Sequence, residues 1–233
     1  MRGDNSEQID QLPTLVALSH ELKAPLALMR QIALSSEDYT DSERKVAFER
    51  IRLTAERSLR LTEALTRSYR ASELESEPIN LGRLCDEVTH ELVPLCRELG
   101  QDIRLKMPRQ SVLAVGNREL LSSVIFGLCD NALNYGQIDR PIELRVQRDG
   151  NDARISVRDY GPTLLKSELD KIKSKLGNSP QSINKRPSSS GLGLYIASQF
   201  AQAMDGQLGM TSHKNGGQTF YINLPQSFQM ALV

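Results

Sequence analysis

The segment from Ser19 to Leu26 places a histidine beside a carboxylate within a helical pattern. His20 precedes Glu21, and leucines around them recur at three- and four-residue steps, which is typical of the apolar side of a packed helix. At roughly 100° per residue, His20 lies away from that apolar side. A lone histidine on a helix is usually a surface residue, but here Glu21 can hold one ring nitrogen and leave the other reactive.

Further along the chain, the segment from Asp130 to Gly136 places an asparagine where an amphipathic helix ends. The neutral amide oxygen of Asn131 suits a Mg²⁺ ion that already holds nucleotide phosphates and waters. By itself this segment is weak evidence, because an asparagine near a helix end is usually a cap.

Two segments with glycine follow. In Asp159-Tyr160-Gly161-Pro162 a strand ends in a carboxylate that can accept a hydrogen bond from an exocyclic amine such as that of adenine, and Gly161 lets backbone approach the ring. By itself, an Asp-x-Gly segment after a strand more often forms an ordinary turn. In Gly191-Leu192-Gly193-Leu194 two glycines open a helix, whose first N–H groups favour phosphate. Neither a Walker A nor a Rossmann fingerprint is present.

The composition restricts the classes of function. The 233 residues carry 29 Lys and Arg against 29 Asp and Glu, so no charge excess indicates a nucleic-acid partner. No apolar run approaches the ~20 residues that cross a bilayer, and no signal peptide is recognisable. Cys85, Cys96 and Cys129 lack the spacing of metal ligands and are expected to be reduced, buried thiols of a cytoplasmic protein.

The elements that must position these segments are expected to divide near Ser76–Asn80. Residues 1–75 have an almost entirely helical pattern, with one helix around His20, a polar break near Ser35, and a second helix from about Asp41 to Leu74. Two helices alone bury too little core to be stable, so we expect a homodimer in which two hairpins form a four-helix bundle.

Residues 76–233 have the mixed pattern of an α/β domain. Helices are predicted at Leu81–Leu99, Asn117–Asn134 and Leu192–Met204, and strands at Asp102–Met107, Ser111–Val115, Ile142–Gln147, Ala153–Asp159, Gln207–Ser212 and Thr219–Leu224. Several strands with three helices fit a two-layer α/β sandwich. The fold class predicted for the chain is therefore α+β.

The four segments, in this order, resemble the motifs of sensor histidine kinases in two-component systems. The resemblance is to the cytoplasmic catalytic core of these kinases and extends from about Leu12 to Pro225. Ser19–Leu26 is similar to the phosphoacceptor box, Asp130–Gly136 to the N box, Asp159–Gly161 to the G1 box and Gly191–Leu194 to the G2 box. The resemblance implies a dimerisation and histidine-phosphotransfer domain followed by an ATP-binding domain of the GHKL (Bergerat) type, with the Ser76–Asn80 linker and the Pro25 kink as hinges.

The resemblance also implies roles and partners. His20 becomes the phosphorylated residue, Glu21 its general base, and Asn131 the Mg²⁺ ligand. ATP and Mg²⁺ are the implied cofactors, and the receiver domain of a response regulator is the implied partner, with no membrane segment in this chain. The implied nucleotide contacts are Asn131, Asn134, Tyr135, Asp159, Gly161, Gly191, Leu192, Gly193 and Leu194.

Several positions depart from the family pattern. Gly127 stands where the N box usually has an earlier asparagine, Asn134 replaces a basic residue, and Thr163 replaces a second glycine of the G1 box. These departures leave open a pseudokinase that binds nucleotide and signals as a scaffold. A GHKL kinase acting on serine in a partner is a third alternative, which the His20-Glu21 helix disfavours.

Overall fold

The fold was analysed in a computed structural model, which describes residues 19, 22–35, 39–68, 71, 74–162 and 192–227. The helices are α1 (residues 22–35), α2 (Asp41–Ser68), α3 (Leu81–Leu99), α4 (Arg118–Tyr135) and α5 (Leu192–Ala203). The strands are β1 (Glu77–Asn80), β2 (Ile103–Lys106), β3 (Leu113–Gly116), β4 (Ile142–Asp149), β5 (Asp152–Arg158), β6 (Gln207–Ser212) and β7 (Gln218–Pro225).

Helices α1 and α2 follow the helical pattern of the sequence. The start of α2 is fixed by a capping box, in which the Thr40 N–H donates to the Glu43 carboxylate and the Glu43 N–H donates to the Thr40 hydroxyl. The predicted end at Leu74 is wrong, because the described helix ends at Ser68 and Leu74 lies in a bend. Ala71 between them is buried in the core, so the chain turns inward before reaching β1.

The linker expected at Ser76–Asn80 contains strand β1, which the sequence analysis missed. β1 pairs antiparallel with β3 in a two-stranded sheet, with Ile79 opposite Ala114. Ile79 is buried, and the side chain of Asn80 caps α3 by accepting from the Arg83 N–H. Glu77–Asn80 is thus a paired strand that leads directly into α3, and the hinge expected at this segment stays a prediction.

The main sheet has five strands in the order β2-β4-β5-β7-β6. β2 and β4 are parallel, and the other neighbours are antiparallel. Buried residues alternate along β4 and β7, so one face of the sheet contacts the core and the other does not.

Helices α3, α4 and α5 cover the buried face and complete a two-layer α/β arrangement, as predicted. Its core includes the side chains of Leu84, Ile125, Leu144, Ile155 and Phe200. The three cysteines are free and buried in this core, and burial raises the pKa of the Cys85 thiol to about 12. They are therefore unreactive packing residues, as the sequence indicated.

Candidate functional site

A cavity of about 780 Å³ lies between the α1–α2 hairpin and helices α3, α4 and α5. Each of these elements contributes to its wall: Ala24, Pro25 and Leu28 from α1, Arg57 and Arg67 from α2, Glu91 from α3, Gly127, Asp130, Asn131, Asn134 and Tyr135 from α4, and Gly193 from α5. The volume lies within the range of cofactor sites, roughly 300–1,000 Å³. The structure thus brings the helix that follows His20 to the segments of the predicted N and G2 boxes.

Helix α4 presents the predicted N box to this cavity because its other side is apolar. Asn117 caps the helix start through its side-chain oxygen, which accepts from two backbone N–H groups. The residues buried against the core are Leu120, Leu121, Val124, Ile125, Leu128, Cys129, Ala132 and Leu133. Asn131 is left at the cavity wall, partly exposed, with its amide available for a ligand.

Gly127, one turn before Asn131, leaves space in the cavity wall. A Cβ atom built at Gly127 has no heavy atom within 4 Å. Neither packing nor the backbone therefore demands a glycine, and an asparagine side chain of the family pattern fits here.

Asp130 faces the hairpin and forms an ion pair with α2. Its Oδ2 accepts from Arg57 Nε at 2.9 Å and from Arg57 Nη2 at 2.7 Å, whereas Oδ1 is buried and has no hydrogen-bond partner in the described part of the chain. Burial raises the pKa of the Asp130 carboxyl, although Arg57 acts in the opposite direction. The arginine therefore only partly compensates for the removal of this charge from water.

Asn134 and Tyr135 end the helix. The Asn134 side-chain amide donates to the carbonyl of Asp130 at 2.6 Å, so this residue folds back on its own helix. The carbonyl of Tyr135 lies so close to Gly161 that a Cβ atom there would be 2.1 Å from it. The glycine is thus required by contact with the end of α4, and the approach of its backbone to a ring stays a prediction.

Asp159 lies just beyond β5 and is 2% exposed. Its Oδ1 accepts from the N–H of Gly161 at 2.9 Å and from the N–H of Gln218 at 3.2 Å. These two backbone donors fix the orientation of the carboxyl group. An acceptor held rigidly below the surface is suited to select one hydrogen-bond donor of a ligand.

The predicted G2 box opens helix α5. Gly191 lies outside the described residues. Leu192 is fully buried and Leu194 packs partly against the core, so their side chains serve packing, and only their backbone N–H groups are suited to meet a phosphate. Gly193 is exposed, lines the cavity and has no heavy atom within 4 Å of a built Cβ. Its small size leaves room for a ligand.

His20 and Glu21 lie outside the described residues. The helix immediately after them is described, and its exposed Ala24 lines the cavity. Within the described residues no cluster of His, Cys, Asp and Glu forms a metal site, and no helix is long and apolar enough to cross a membrane.

Sequence reasoning missed Arg57, Gly217 and Gln218. Gly217 has φ +78°, and a Cβ atom there would lie 2.1 Å from the Asp159 carbonyl oxygen. Only a glycine therefore lets the chain before β7 lie this close to the end of β5. Gln218 donates its backbone N–H to Asp159 and its side-chain amide to the Pro162 carbonyl. The pair Gly216-Gly217 is a turn signal from which the position of Gly217 could have been predicted. Arg57 is one of several arginines on α2, and nothing in the neighbouring sequence distinguishes it from the others.

Known proteins resemble this chain in sequence. The family described as "Histidine kinase-, DNA gyrase B-, and HSP90-like ATPase" matches residues 116–227. The sensor protein kinase PmrB of Pseudomonas aeruginosa is 29% identical over 90% of this chain, and the sensor histidine kinase YcbM of Bacillus subtilis is 24% identical over 90%. The chain spans 44% of PmrB and 70% of YcbM.

Solved histidine kinases share the fold. Acinetobacter baumannii AdeS has a TM-score of 0.59 at 16% identity, covering 89% of this chain and 98% of AdeS. Full-length ShkA, solved in complex with AMPPNP, has a TM-score of 0.61 at 20% identity, covering 97% of this chain and 47% of ShkA. As the four motifs predicted, the chain resembles sensor histidine kinases over about nine-tenths of its length, and residues 116–227 match the family of histidine kinase-, DNA gyrase B- and HSP90-like ATPases.

Proposed function

We propose that this chain is an ATP-dependent protein-histidine kinase of a two-component system. It phosphorylates His20 and passes the phosphoryl group to an aspartate in the receiver domain of a response regulator. The observation that carries the proposal is the shared cavity: Ala24, four residues after His20, lines the same wall as Asn131 and Gly193. A phosphoacceptor and an ATP site must come this close for direct transfer.

In the proposed reaction, a ring nitrogen of His20 attacks the γ-phosphorus of ATP. A nitrogen–phosphorus bond forms, the bond from the γ-phosphorus to the bridging oxygen breaks, and ADP leaves with the electron pair. Glu21 holds the N–H on the other ring nitrogen and accepts its proton, so the attacking nitrogen stays unprotonated.

The remaining residues hold the nucleotide. Asp159 accepts from the adenine amine, and its two backbone donors keep the carboxylate aligned. The N–H groups of Gly191 to Leu194 at the start of α5 receive phosphate oxygens. Asn134 and Tyr135 of α4 line the same cavity. Asn131 would hold Mg²⁺, which neutralises developing phosphate charge; the donor set fits, because Mg²⁺ needs only one or two protein oxygens beside phosphates and waters.

We further propose that residues 1–75 form the dimerisation and phosphotransfer domain and residues 76–233 the catalytic domain. Several large apolar side chains of the hairpin are exposed in the single chain: Leu26, Leu34, Val46, Phe48 and Leu59. Pairing of two hairpins in a four-helix bundle would bury such residues. The homodimer rests on that proposal, and the proposed cytoplasmic location rests on the resemblance to sensor histidine kinases.

The test is radiolabelling with γ-labelled ATP and Mg²⁺. Wild type should acquire an acid-labile, base-stable label, and His20→Gln should lose it while ATP still binds. His90→Gln is the matched control, since His90 is an exposed histidine of α3 near a carboxylate, Asp86. Undiminished labelling of His20→Gln would overturn the assignment, and loss of the label in His90→Gln would assign the phosphate to His90 instead.

A pseudokinase is the second candidate, favoured by two observations. Gly127 has no side chain where the family pattern has its earlier asparagine. The side-chain amide of Asn134 already donates to the Asp130 carbonyl of its own helix. ATP binding without any label in wild type would establish this candidate. An acid-stable label on a partner would instead indicate a serine kinase.

A further inference from the structure

The five-stranded sheet has a second face, opposite helices α3, α4 and α5, which carries a group of arginines. The strand register places Glu143 beside Arg158, Arg145 beside Ser156, and Ser156 beside Tyr221. Along each strand these side chains alternate with residues of the core and so lie on the opposite face of the sheet, where Ser156 is itself buried. A cavity of about 240 Å³ lies on this face, lined by Glu143, Arg145, Gln147, Arg154, Ser156, Arg158, Thr211, His213, Thr219 and Tyr221. We call it the open-face cavity.

Two of its arginines are held in place by aromatic rings. The Arg154 guanidinium lies 4.3 Å from the centroid of the Tyr221 ring, and its Nε donates to Asn223 at 2.7 Å. The Tyr221 ring lies on Gly209, where a Cβ would be 2.4 Å from it. Arg158 lies 4.6 Å from the centroid of the Tyr160 ring. Side chains held in this way lose less conformational entropy when a ligand binds.

The positive charge of the cavity is only partly balanced. Its one carboxylate, Glu143, already accepts from Lys106 and from the Tyr160 hydroxyl, and Arg145 lies 3.7 Å from it. Arg154 pairs with Asp149 at the edge. Arg158 makes no ion pair in the described part of the chain, and its Nε is buried without a hydrogen-bond partner. A buried N–H of this kind is costly unless an acceptor reaches it.

Other donors surround these cations: the hydroxyls of Ser156, Thr211 and Thr219, and His213, whose Nε2 lies 2.7 Å from Thr219 Oγ1. The volume falls below the roughly 300–1,000 Å³ of sites for larger ligands, so it suits a single group rather than a nucleotide. Guanidinium forks match the tetrahedral oxygens of phosphate. We propose that the open-face cavity binds a phosphate group, held by Arg145, Arg154 and Arg158.

This site is separate from the nucleotide site, because Asn131 and Gly193 lie on helices that cover the opposite face of the sheet. The phosphate belongs either to a free compound or to a lipid headgroup. The kinase reaction does not require it, so the two proposals fail independently.

The experiment is a titration of the ¹⁵N-labelled full chain with inorganic pyrophosphate, in excess ADP, followed by the amide signals of β4 and β5. We expect those signals to move, and Arg145→Gln to weaken binding roughly tenfold. Arg148→Gln is the matched control: Arg148 lies on the same strand but donates to the Ser111 carbonyl outside the cavity. Glu143→Gln should tighten binding, an effect that misfolding cannot imitate.

Vesicle sedimentation identifies the source of the phosphate. Binding to phosphatidylglycerol vesicles that Arg145→Gln weakens and Glu143→Gln strengthens indicates a lipid headgroup. Binding of pyrophosphate alone indicates a free compound, and either result supports the site. The proposal is overturned if only α4 and α5 signals move, if Arg145→Gln and Arg148→Gln bind equally, or if a tetraglutamate peptide binds more tightly than pyrophosphate.

Discussion

Among single residues, Gly127 tests most directly how far this site departs from its family. Its position is open and adjacent to the cavity that Asn131 lines. We expect Gly127→Asn to strengthen Mg²⁺-dependent ATP binding, because the new amide adds an oxygen one turn from Asn131. The measurement is calorimetric titration of ATP with and without Mg²⁺.

Gly127→Ala is the control for this substitution. Replacing a glycine in a helix interior with alanine stabilises the helix by roughly 0.5–1 kcal/mol, and asparagine, a poorer helix former, recovers only part of this. Both variants should therefore melt at a higher temperature, and only the asparagine should change the Mg²⁺-dependent part of ATP affinity. An equal gain with alanine would assign the effect to helix stability.

The residues of the site differ in how far the sequence could predict them. Asn131 and Asp159 stand in short segments whose local pattern marks a helix end and a strand end. Arg57 bonds to a residue 73 positions away, and no local pattern encodes such a contact. The sequence also could not predict why a glycine is needed at position 161, because the Tyr135 carbonyl contacts it only when α4 and β5 are packed together.

Among the elements, the contact of α2 with the ATPase domain depends on arginines along one helix. Arg57 reaches Asp130 on α4, and Arg60 both pairs with Glu91 on α3 and lies 4.2 Å from the centroid of the Phe126 ring. Most exposed pairs of this kind contribute little. The Arg57–Asp130 pair differs, because the Asp130 side chain is only 18% exposed.

We predict that Arg57→Gln lowers the free energy of unfolding by about 1–2 kcal/mol at neutral pH, less than for a fully buried pair because Arg57 is partly exposed. Burial raises the pKa of Asp130, so its charged form costs stability above that pKa, and the cost disappears as the pH falls through it. The deficit of Arg57→Gln should therefore shrink as the pH is lowered. Urea denaturation over a pH series measures this.

Arg52→Gln is the control on the same helix. Among the described residues, Arg52 pairs only with Glu49 and Glu56 of α2, at the surface, so its loss should cost much less stability than the loss of Arg57. Adding Asp130→Asn to Arg57→Gln should restore most of the lost stability, because no buried charge is then left unpaired. A deficit that is independent of pH, or not restored, would contradict the role given to this pair.

Strand β1 shows why elements were missed where local signals conflict. Its four residues include Pro78, and proline weakens any strand prediction. Its partner β3 lies beyond helix α3, so the pairing that makes Glu77–Asn80 a strand is invisible in the segment itself. The end of α2 was misplaced for a similar reason, since burial of Ala71 in a distant core decides it.

For the whole molecule, the sequence predicted a two-layer α/β fold but not the order of its strands. β2 and β4 are parallel neighbours although β3 and α4 lie between them on the chain. Periodicity reveals which residues are buried but not which strand lies beside which. The open-face cavity was invisible for the same reason, because its arginines come together only through the register of β4 and β5.

The exposed apolar side chains of the hairpin bear on the assembly of the whole chain. Phe48 and Leu59 lie eleven residues apart on one side of α2 and are 68% and 62% exposed in the single chain. Exposed apolar side chains on one helix face are typical of an interface. We expect the chain to run as a dimer in light scattering, with twice the 26.0 kDa of one copy, and Phe48→Glu with Leu59→Glu to give monomers that still bind ATP. Ile138→Glu is the control, since Ile138 is 71% exposed but lies beyond α4, far along the chain from the hairpin. A wild-type monomer, or a dimer that survives the double substitution and dissociates with Ile138→Glu, would place the interface elsewhere.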